Sequence, residues 1–453
     1  MSGIAGIAES GMVSEVNHML DRIEHRGPDG REVIDLDGAT LGAVWTEAQE
    51  ERMPDFEKQQ SVMDCVSGGH IACAQVRNDK LELIRDQLGV APLYFGHDEN
   101  KNLCFASEVK ALLGLTNDVY IIPPGHRYDG YKMTPYYRIR KRKSINGKAE
   151  HIAKELKDRL DDSITDFVED FDKIGSWLSG GLDSSTLTAL ARPHVRKLYT
   201  FASGFPNSPD IRNAKKVAEF IGSDHHEVIV SFDDILSIIP EVIYHLESFD
   251  ALLVRSSITN YLVAQAASEH VSAVISGEGG DELFAGYDYL KSLNPSMLPE
   301  ELIDITHRLH NTALQRVDRS ASAHGTMAHV AFLDPKVVNY ALRIPTRFKL
   351  FNGTEKWILR KAMERTKALP KKILTRKKSK FWEGTGLSDM LERYAEEQIS
   401  NNEFRKERDL PNGWRLNSKE ELMYYLIFRK YFRKVKNLKW MGRTKGAPKQ
   451  KLH

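Results

Sequence analysis

Four short apolar runs that alternate with helical patterns constrain the fold more strongly than any other feature of the sequence. These runs are IGSWL (174–178), LYTFA (198–202), EVIVS (227–231) and VSAVI (271–275). Strands separated by helices predict a parallel, doubly wound α/β sheet. Ligands of such sheets bind at the carboxyl ends of the strands, so the residues that directly follow these runs are the candidate site residues.

The sequence before this segment has a different pattern. Short β-type runs separated by turn signals predict an antiparallel β-rich domain over residues 1–137. Examples of these runs are HIACAQVR (70–77), LELIR (81–85) and PLYFG (92–96). Residues 138–150 have five basic residues between Arg138 and Lys143, followed by an Asn-Gly turn, and predict a linker.

A second domain is predicted over residues 151–437. Its first helix is indicated by apolar residues at helical spacing in HIAKELKDRLDDSITDFVED (151–170), and the pattern from about Leu298 onward is again helical. The last residues, 438–453, are basic and lack apolar periodicity, which predicts a frayed tail.

Composition excludes several classes of protein. The 453 residues suffice for two or three domains, and 64 Lys and Arg against 63 Asp and Glu leave a net charge of +1, unlike a dedicated nucleic-acid binder. No apolar stretch reaches the roughly 18 residues of a membrane span, and MSGIAGIAESG has no basic region followed by an apolar one. We therefore expect a cytoplasmic protein with neither a nucleic-acid nor a membrane partner. Three cysteines without a CxxC pair are too few for a disulfide scaffold.

Two glycine-rich motifs follow predicted strands. In SGGLDSS (179–185), the glycines let the backbone approach an anion, and hydroxyls and free N–H groups at a helix start are donors for phosphate. The motif differs from Walker A, which disfavours kinase-type or GTPase-type chemistry. The second motif, SGEGGDELFAGY (276–287), follows VSAVI. If the two strands are neighbours, Asp183 and Asp281 face each other and share Mg²⁺, which also binds phosphate oxygens.

Together these motifs resemble the synthetase domain of asparagine synthetases, in the PP-loop ATP pyrophosphatase group. Further similar segments are 208–228, 314–325, 332–334, 353–362 and 376–381. Residues 1–137 are similar to the family's N-terminal glutaminase domain. The resemblance implies an antiparallel, Ntn-hydrolase-like sandwich followed by a doubly wound α/β synthetase domain with a helical extension. The segments that carry the N-terminal likeness are GIAGI, HRGPDG (25–30), RDQLGVAPLYF (85–95) and FASEVKALL (105–113).

The resemblance implies ATP-dependent amide formation. A carboxylate attacks the α-phosphate to give an acyl-adenylate and pyrophosphate, and an amine then displaces AMP. The implied cofactors are ATP and Mg²⁺, with Asp183 and Asp281 as metal ligands, and the implied substrates are a small carboxylate and ammonia or another amine. Whether the protein forms a homodimer is left open. The implied nucleotide-binding residues are Ser179, Gly180, Gly181, Asp183, Ser184, Ser185 and Gly277.

Three further residues are implied to be catalytic. Lys378 falls where the family places a lysine that neutralises charge on the polyphosphate. Glu278 would deprotonate or orient the incoming amine. Arg255 matches an arginine near the substrate carboxylate, for which a guanidinium is well suited.

The N-terminal domain departs from the glutamine-dependent family members. They begin Met-Cys-Gly, whereas this chain begins Met1-Ser2-Gly3, although serine can also serve as an N-terminal nucleophile. The segments that hold glutamine are also missing: LGAVWTEAQEERMPDF stands in place of an RLSI-like segment, and no NGEIYN-like segment is found. We therefore expect a domain without glutaminase activity and a nitrogen donor other than glutamine.

The acceptor side departs from the family too. Leu252 and Leu253 stand where at least some asparagine synthetases have threonines, and Met327 and His329 replace a glutamate and an arginine. Unpaired buried polar groups cost about 1–3 kcal/mol each, so these changes alter which polar substrate fits. Aspartate is therefore not assured as the substrate.

Three alternatives to an asparagine-synthetase-like ligase stay open. β-Lactam synthetases share the two-domain plan with a disabled glutaminase, but they carry tyrosine in place of Glu278. A PP-loop RNA-thiolating enzyme is disfavoured because residues 138–453 contain no cysteine. A non-catalytic nucleotide-binding protein would have no need of the Asp183 and Asp281 pair.

Overall fold

The N-terminal part of the chain is built from two antiparallel sheets. The computed structural model describes residues 2–66, 68–78, 80–376 and 386–444. Within those ranges the N-terminal strands are β1 Ser2–Ile7, β2 Gly30–Leu36, β3 Ala39–Trp45, β4 Ser61–Val66, β5 His70–Arg77, β6 Lys80–Arg85, β7 Tyr94–His97, β8 Leu103–Ala106, β9 Tyr120–Ile121, β10 His126–Tyr128 and β11 Met133–Pro135. One sheet has the order β2-β3-β1-β8-β7-β9 and the other β11-β10-β6-β5-β4. Side chains of both sheets share one hydrophobic cluster, so the sheets pack as a sandwich.

A parallel sheet forms the centre of the second part of the chain. Its strands are β12 Lys173–Trp177, β13 Lys197–Gly204, β14 Asp224–Ile229, β15 Ala273–Ile275 and β16 Met327–His329. The order is β14-β13-β12-β15-β16, and all neighbours are parallel. The strand order reverses between β12 and β15, and this switch point is where doubly wound sheets bind ligands.

Helices connect these strands and continue into the C-terminal part. Their bounds are α1 Val13–Asp21, α2 Phe56–Gln59, α3 Val109–Leu112, α4 Ala149–Val168, α5 Leu182–Ala191, α6 Pro209–Ile221, α7 Phe232–Leu246, α8 Ala251–Ser268, α9 Gly280–Phe284, α10 Leu298–His307, α11 Ala313–Ser322, α12 Pro335–Ala341, α13 Thr346–Lys349, α14 Trp357–Glu364, α15 Lys371–Leu374, α16 Leu387–Gln398, α17 Asn401–Glu407 and α18 Lys419–Phe432. Among the helices that the structure describes, none is both long and apolar enough to cross a bilayer.

The fold class expected from the sequence is confirmed, with two differences in detail. Strand β14 begins at Asp224, three residues before the apolar run that predicted it, because this edge strand pairs only with β13 and tolerates polar residues. Strand β16 interrupts the region from Leu298 that was expected to be wholly helical. Its three residues are all buried beside β15, so they show no alternation that could indicate a strand. The domain boundaries stay a prediction.

Helix α4 packs one apolar face against the rest of the second part. Ile152, Leu156, Leu160 and Ile164 recur at helical spacing and are at most 1% exposed. They belong to the same hydrophobic cluster as strand β12, which ends at the predicted site. The helix therefore supports the strand from which the first glycine-rich motif begins.

Replacing Leu160 with alanine should lower the free energy of unfolding by about 2–5 kcal/mol, because the change leaves a cavity in this core. The matched control is Asp162→Ala, at an exposed position of the same helix, which should change it by less than about 0.5 kcal/mol. Urea denaturation followed by tryptophan fluorescence measures both. Equal midpoints for the two variants would contradict the burial of this face.

Candidate functional site

The first glycine-rich loop joins the end of β12 to the start of α5. Gly180 has φ = 65°, and a Cβ there would lie 2.5 Å from the backbone nitrogen of Ala214, so only glycine fits. The hydroxyls of Ser179 and Ser184 are 3.1 Å apart, and Ser184 Oγ also accepts the N–H of Ser179. The loop therefore places hydroxyls and backbone N–H groups together at the N-terminus of α5.

The second glycine-rich loop joins β15 to α9 and touches the first. A Cβ at Gly277 would lie 2.9 Å from the backbone nitrogen of Ser184, and one at Gly280 would lie 2.7 Å from Cγ of Asp183. Gly279 has φ = 94°, a conformation that favours glycine. These glycines let the two loops approach closely, so acidic side chains from the starts of α5 and α9 converge.

Asp183 and Asp281 meet around one positive charge, the ammonium of Lys356. Lys356 Nζ contacts the Asp183 carboxylate and lies 2.5 Å from Oδ1 of Asp281. The Lys356 side chain is only 2% exposed. Its backbone, directly before α14, has φ = 53° and donates its N–H to the carbonyl of Phe284 at 3.1 Å. The structure thus brings the two predicted metal ligands together around a cation.

The two carboxylates are ligands of the kind that Mg²⁺ accepts, and in the structure the Lys356 ammonium contacts both of them. Proteins bind Mg²⁺ through one or two carboxylates, and substrate phosphates and water complete the octahedron. In the ranges that the structure describes, no group of three or more His, Cys, Asp or Glu side chains could hold a metal ion. A metal at Asp183 and Asp281 would therefore depend on a nucleotide for its remaining ligands.

Two glutamates of the second motif lie beside the aspartates. Glu278 accepts a hydrogen bond from Nη2 of Arg316 on α11, and Glu282 accepts one from the hydroxyl of Tyr287. Burial, reinforced by the Asp281 carboxylate, raises the pKa of Glu282 to about 7. Burial therefore favours the neutral form of Glu282, and Glu278 is held against a guanidinium.

A cavity of about 460 Å³ lies between the two loops. The sequence-predicted residues that line it are Ser179, Gly181, Asp183, Ser184, Gly277, Glu278 and Asp281. Gly180 and Ser185 are not among the described lining residues, and Ser185 is fully buried. Arg255 is not among them either: its Nε donates to Oε1 of Glu420 at 2.7 Å. Lys378 lies outside the described residues.

Arg376 holds the start of the RKKSKF segment against the first glycine-rich loop. Its Nη1 donates to the carbonyl of Gly180 at 2.8 Å, and its Nη2 lies 2.5 Å from Oδ1 of Asp210. Arg360 of α14 in turn donates to the Arg376 carbonyl at 3.0 Å. Arg376 is thus fixed beside the first glycine-rich loop, at the edge of the cavity.

Ser2 lies at the start of β1 and is fully buried. Its hydroxyl donates to Oδ1 of Asp64 at 2.9 Å and accepts the N–H of Cys65 at 3.0 Å. Gln49 Nε2 lies 3.5 Å from the same hydroxyl and donates to the Cys65 carbonyl at 2.7 Å. Burial raises the pKa of Asp64, against the opposite effect of Arg26. The Ser2 hydroxyl is therefore buried and hydrogen-bonded within the protein, and the side chain of Gln49 lies beside it.

Sequence reasoning assigned no role to Lys356, Arg316 or Arg376. Each lies in a segment that resembles the family, GTEKWILRKA, LQRVDRSASAHG or RKKSKF, so the signal was a charged residue inside a matching segment. Their partners are distant in the chain: Asp183 is 173 residues from Lys356. Spacing alone could not reveal these pairs.

Comparisons with known proteins find similarity in both parts of the chain. The family model described as asparagine synthase matches residues 155–301 and 294–447, and the glutamine amidotransferase domain model matches residues 60–123. The chain is 34% identical over 376 residues to asparagine synthetase B [glutamine-hydrolyzing] from Escherichia coli (strain K12), covering 77% of this chain and 67% of that protein. It is 33% identical over 373 residues to asparagine synthetase [glutamine-hydrolyzing] 3 from Arabidopsis thaliana, covering 77% and 64%. The chain thus spans about two thirds of the length of these relatives.

Solved structures show a more distant likeness. NMN synthetase from Francisella tularensis has a TM-score of 0.29 at 13% identity, covering 64% of this chain and 97% of that chain. Glutamine-dependent NAD+ synthetase from Acinetobacter baumannii has a TM-score of 0.28 at 13% identity, covering 73% and 56%. At these TM-scores and identities, the likeness supports no statement about the residues of the site.

Replacing Lys356 with methionine should lower the melting temperature in metal-free buffer, by about 1–2 °C for each kcal/mol lost in a protein of this size. The reason is that Asp183 and Asp281 would then repel each other without a counter-cation. Adding MgCl₂ should raise the melting temperature of Lys356→Met by more degrees than it raises that of the wild type. The matched control is Lys361→Met on the same helix, where the lysine pairs with Glu150 away from the aspartates. Differential scanning fluorimetry measures the wild type and both variants with and without Mg²⁺, and the same response to Mg²⁺ in both variants would contradict a cation site here.

Proposed function

Because the chain belongs to the asparagine synthetase family, whose members are ATP-dependent carbon–nitrogen ligases, we propose that it activates a small carboxylic acid with ATP and transfers ammonia or another amine to it. The observation that carries this proposal is the pair Asp183 and Asp281, whose carboxylates meet at one cation between two glycine-rich loops. Burying two carboxylates together is costly unless a cation pairs with them. A protein that only scaffolds would gain nothing from this arrangement.

The first step forms an acyl-adenylate. A carboxylate oxygen of the acid attacks the α-phosphorus of ATP, the bond from that phosphorus to the bridging oxygen breaks, and pyrophosphate leaves. The hydroxyls of Ser179 and Ser184 and the free N–H groups of α5 bind the pyrophosphate oxygens. Mg²⁺ held by Asp183 and Asp281 would supply charge neutralisation for the polyphosphate. Lys356 is the cation that contacts both carboxylates when the metal is not bound.

Lys378 contributes a further positive charge in this proposal. It follows Arg376 by two residues, and Arg376 donates to the Gly180 carbonyl at 2.8 Å. A lysine that neutralises the polyphosphate stabilises the charge that develops as pyrophosphate leaves.

The second step forms the amide. The amine nitrogen attacks the carbonyl carbon, the carbon–oxygen bond to AMP breaks, AMP leaves, and the nitrogen loses a proton. Glu278 is the acceptor of that proton in this proposal. Its hydrogen bond from Arg316 fixes the direction of the carboxylate in the cavity.

Glutamine is not the nitrogen donor in this proposal. The Ser2 hydroxyl is fully buried, and it is hydrogen-bonded to Asp64 and Cys65. The side chain of Gln49, 1% exposed, lies against it. A substrate glutamine would have to displace these groups from the interior. Ammonia or another amine therefore enters the reaction directly.

The acid is selected by a largely apolar wall of the cavity. The wall is lined by Leu252, Leu253, Ile305, Leu309 and Ala313. These five side chains offer no partner to polar groups of an acid that lies against them, although the same cavity also has polar lining residues such as Ser256, Arg308 and Thr312. Arg255, near the start of α8, is paired with Glu420 of α18 and does not line the cavity. The panel of candidate acids should therefore include acids other than aspartate.

Incubation with ATP, Mg²⁺, ¹⁵N-ammonium and a panel of acids should give a ¹⁵N-labelled amide of one of them, with one AMP and one pyrophosphate for each amide. Asp183→Asn should slow product formation at least about 100-fold, which corresponds to about 2.7 kcal/mol of barrier. Asp162→Asn, at an exposed position, is the control. Mass spectrometry detects the products. Formation of ADP and phosphate in place of AMP and pyrophosphate would contradict the proposal.

With glutamine as the only nitrogen source, the same assay should yield no amide and no glutamate. The expected reason is that the Ser2 hydroxyl is enclosed and already hydrogen-bonded. Glutamate is measured in the presence and absence of ATP and the preferred acid. Glutamate release that rises with amide formation would show that the N-terminal domain still hydrolyses glutamine.

A further inference from the structure

A buried network of charged side chains joins the N-terminal sandwich to helix α11. At its centre is Arg26, of the HRGPDG segment, which is fully buried. Its guanidinium contacts both carboxylate oxygens of Asp318 on α11, at 2.9 and 3.0 Å. The same group lies 2.9 Å from Oε1 of Glu108 and 3.1 Å from Oδ2 of Asp64. A bidentate pair of this kind fixes orientation as well as distance.

The next residue of α11 extends the network. Arg319 is 1% exposed, and its Nη1 lies 3.3 Å from Oε1 of Glu108. Its Nη2 lies 3.1 Å from Oε2 of Glu247 and donates to the carbonyl of Ser107 at 3.1 Å. The N–H of Lys110, at the start of α3, also donates to Glu247, at 2.8 Å. Asp318 and Arg319 thus fix α11 to the sandwich from two directions.

Helix α11 also reaches the cavity. Arg316, one turn before Arg319, lines the cavity and donates to Glu278. An α-helix rises 1.5 Å per residue, so Arg316 lies about 3 Å along the axis from Asp318 and about 4.5 Å from Arg319. A rotation or slide of α11 would therefore move Arg316 and the carboxylate paired with it.

We infer that Arg26 is a positioning residue for amide formation: by holding Asp318 it sets the orientation of α11, and α11 in turn places Arg316 against Glu278. This inference rests on the proposed function, in which Glu278 acts on the incoming amine. It assigns the HRGPDG segment a role that needs no glutamine hydrolysis. Ser2 belongs to the same network, because its carbonyl accepts from Arg26 Nε at 2.8 Å.

The test compares the two half-reactions in variants of the full chain. Exchange of labelled pyrophosphate into ATP reports adenylate formation, and the KM for ammonium with the rate of amide formation reports the transfer step. The variants are Asp318→Asn, which removes the charge with little change of shape, and the pair Arg26→Gln and Arg26→Lys. The matched control is Arg85→Lys, also fully buried, whose guanidinium donates to backbone carbonyls of residues 89, 91 and 122 within the N-terminal part.

Asp318→Asn should raise the KM for ammonium at least tenfold and change pyrophosphate exchange less than threefold. Arg26→Lys should recover part of the transfer activity that Arg26→Gln loses, and Arg85→Lys should leave the ratio of the two half-reactions as in the wild type. If Arg26→Gln does not fold, Asp318→Asn and Arg26→Lys carry the test. Equal losses in both half-reactions, or no effect of Asp318→Asn, would overturn the positioning role. Absence of exchange with every acid in the wild type would instead overturn the proposed function.

Discussion

Two carboxylates that meet in a narrow site need a positive charge between them. At 4 Å two like charges repel by about 4 kcal/mol in surroundings with an effective dielectric constant of 20. In this protein the ammonium of Lys356 contacts both Asp183 and Asp281. The aspartates come this close because β12 and β15 are paired and because Gly277 and Gly280 let the two loops touch. The protein thus maintains, by its own contacts, the geometry that a metal and a polyphosphate would use.

Buried charged side chains join the N-terminal sandwich to the second part of the chain, beside two hydrophobic clusters that both parts share. Arg26 contacts Asp318 of α11 with two hydrogen bonds and is shielded from solvent. Breaking one partner of a buried pair is costly, so the two parts behave as one unit. The Ser2 hydroxyl donates to Asp64, which also contacts Arg26, so Ser2 belongs to the same buried network. A region that resembles a glutaminase domain is thereby fixed to helix α11.

The parallel sheet and both glycine-rich loops could be predicted because their signals are local: alternating strands and helices, and glycines with acidic residues at strand ends. Strand β16 could not, since three buried residues carry no periodicity. Lys356 could not be placed because its partner Asp183 is 173 residues away. Resemblance located Arg255 near the substrate, but the pairing that holds it, with Glu420 in another helix 165 residues on, depends on tertiary structure.

The most direct measurement of the central claim is a crystal structure with a non-hydrolysable ATP analogue and Mn²⁺ in place of Mg²⁺. The account predicts an anomalous peak between Asp183 and Asp281, with phosphate oxygens completing the coordination and the α-phosphate facing the cavity. A nucleotide bound elsewhere, with the Lys356 ammonium still between the two carboxylates and no metal there, would contradict it.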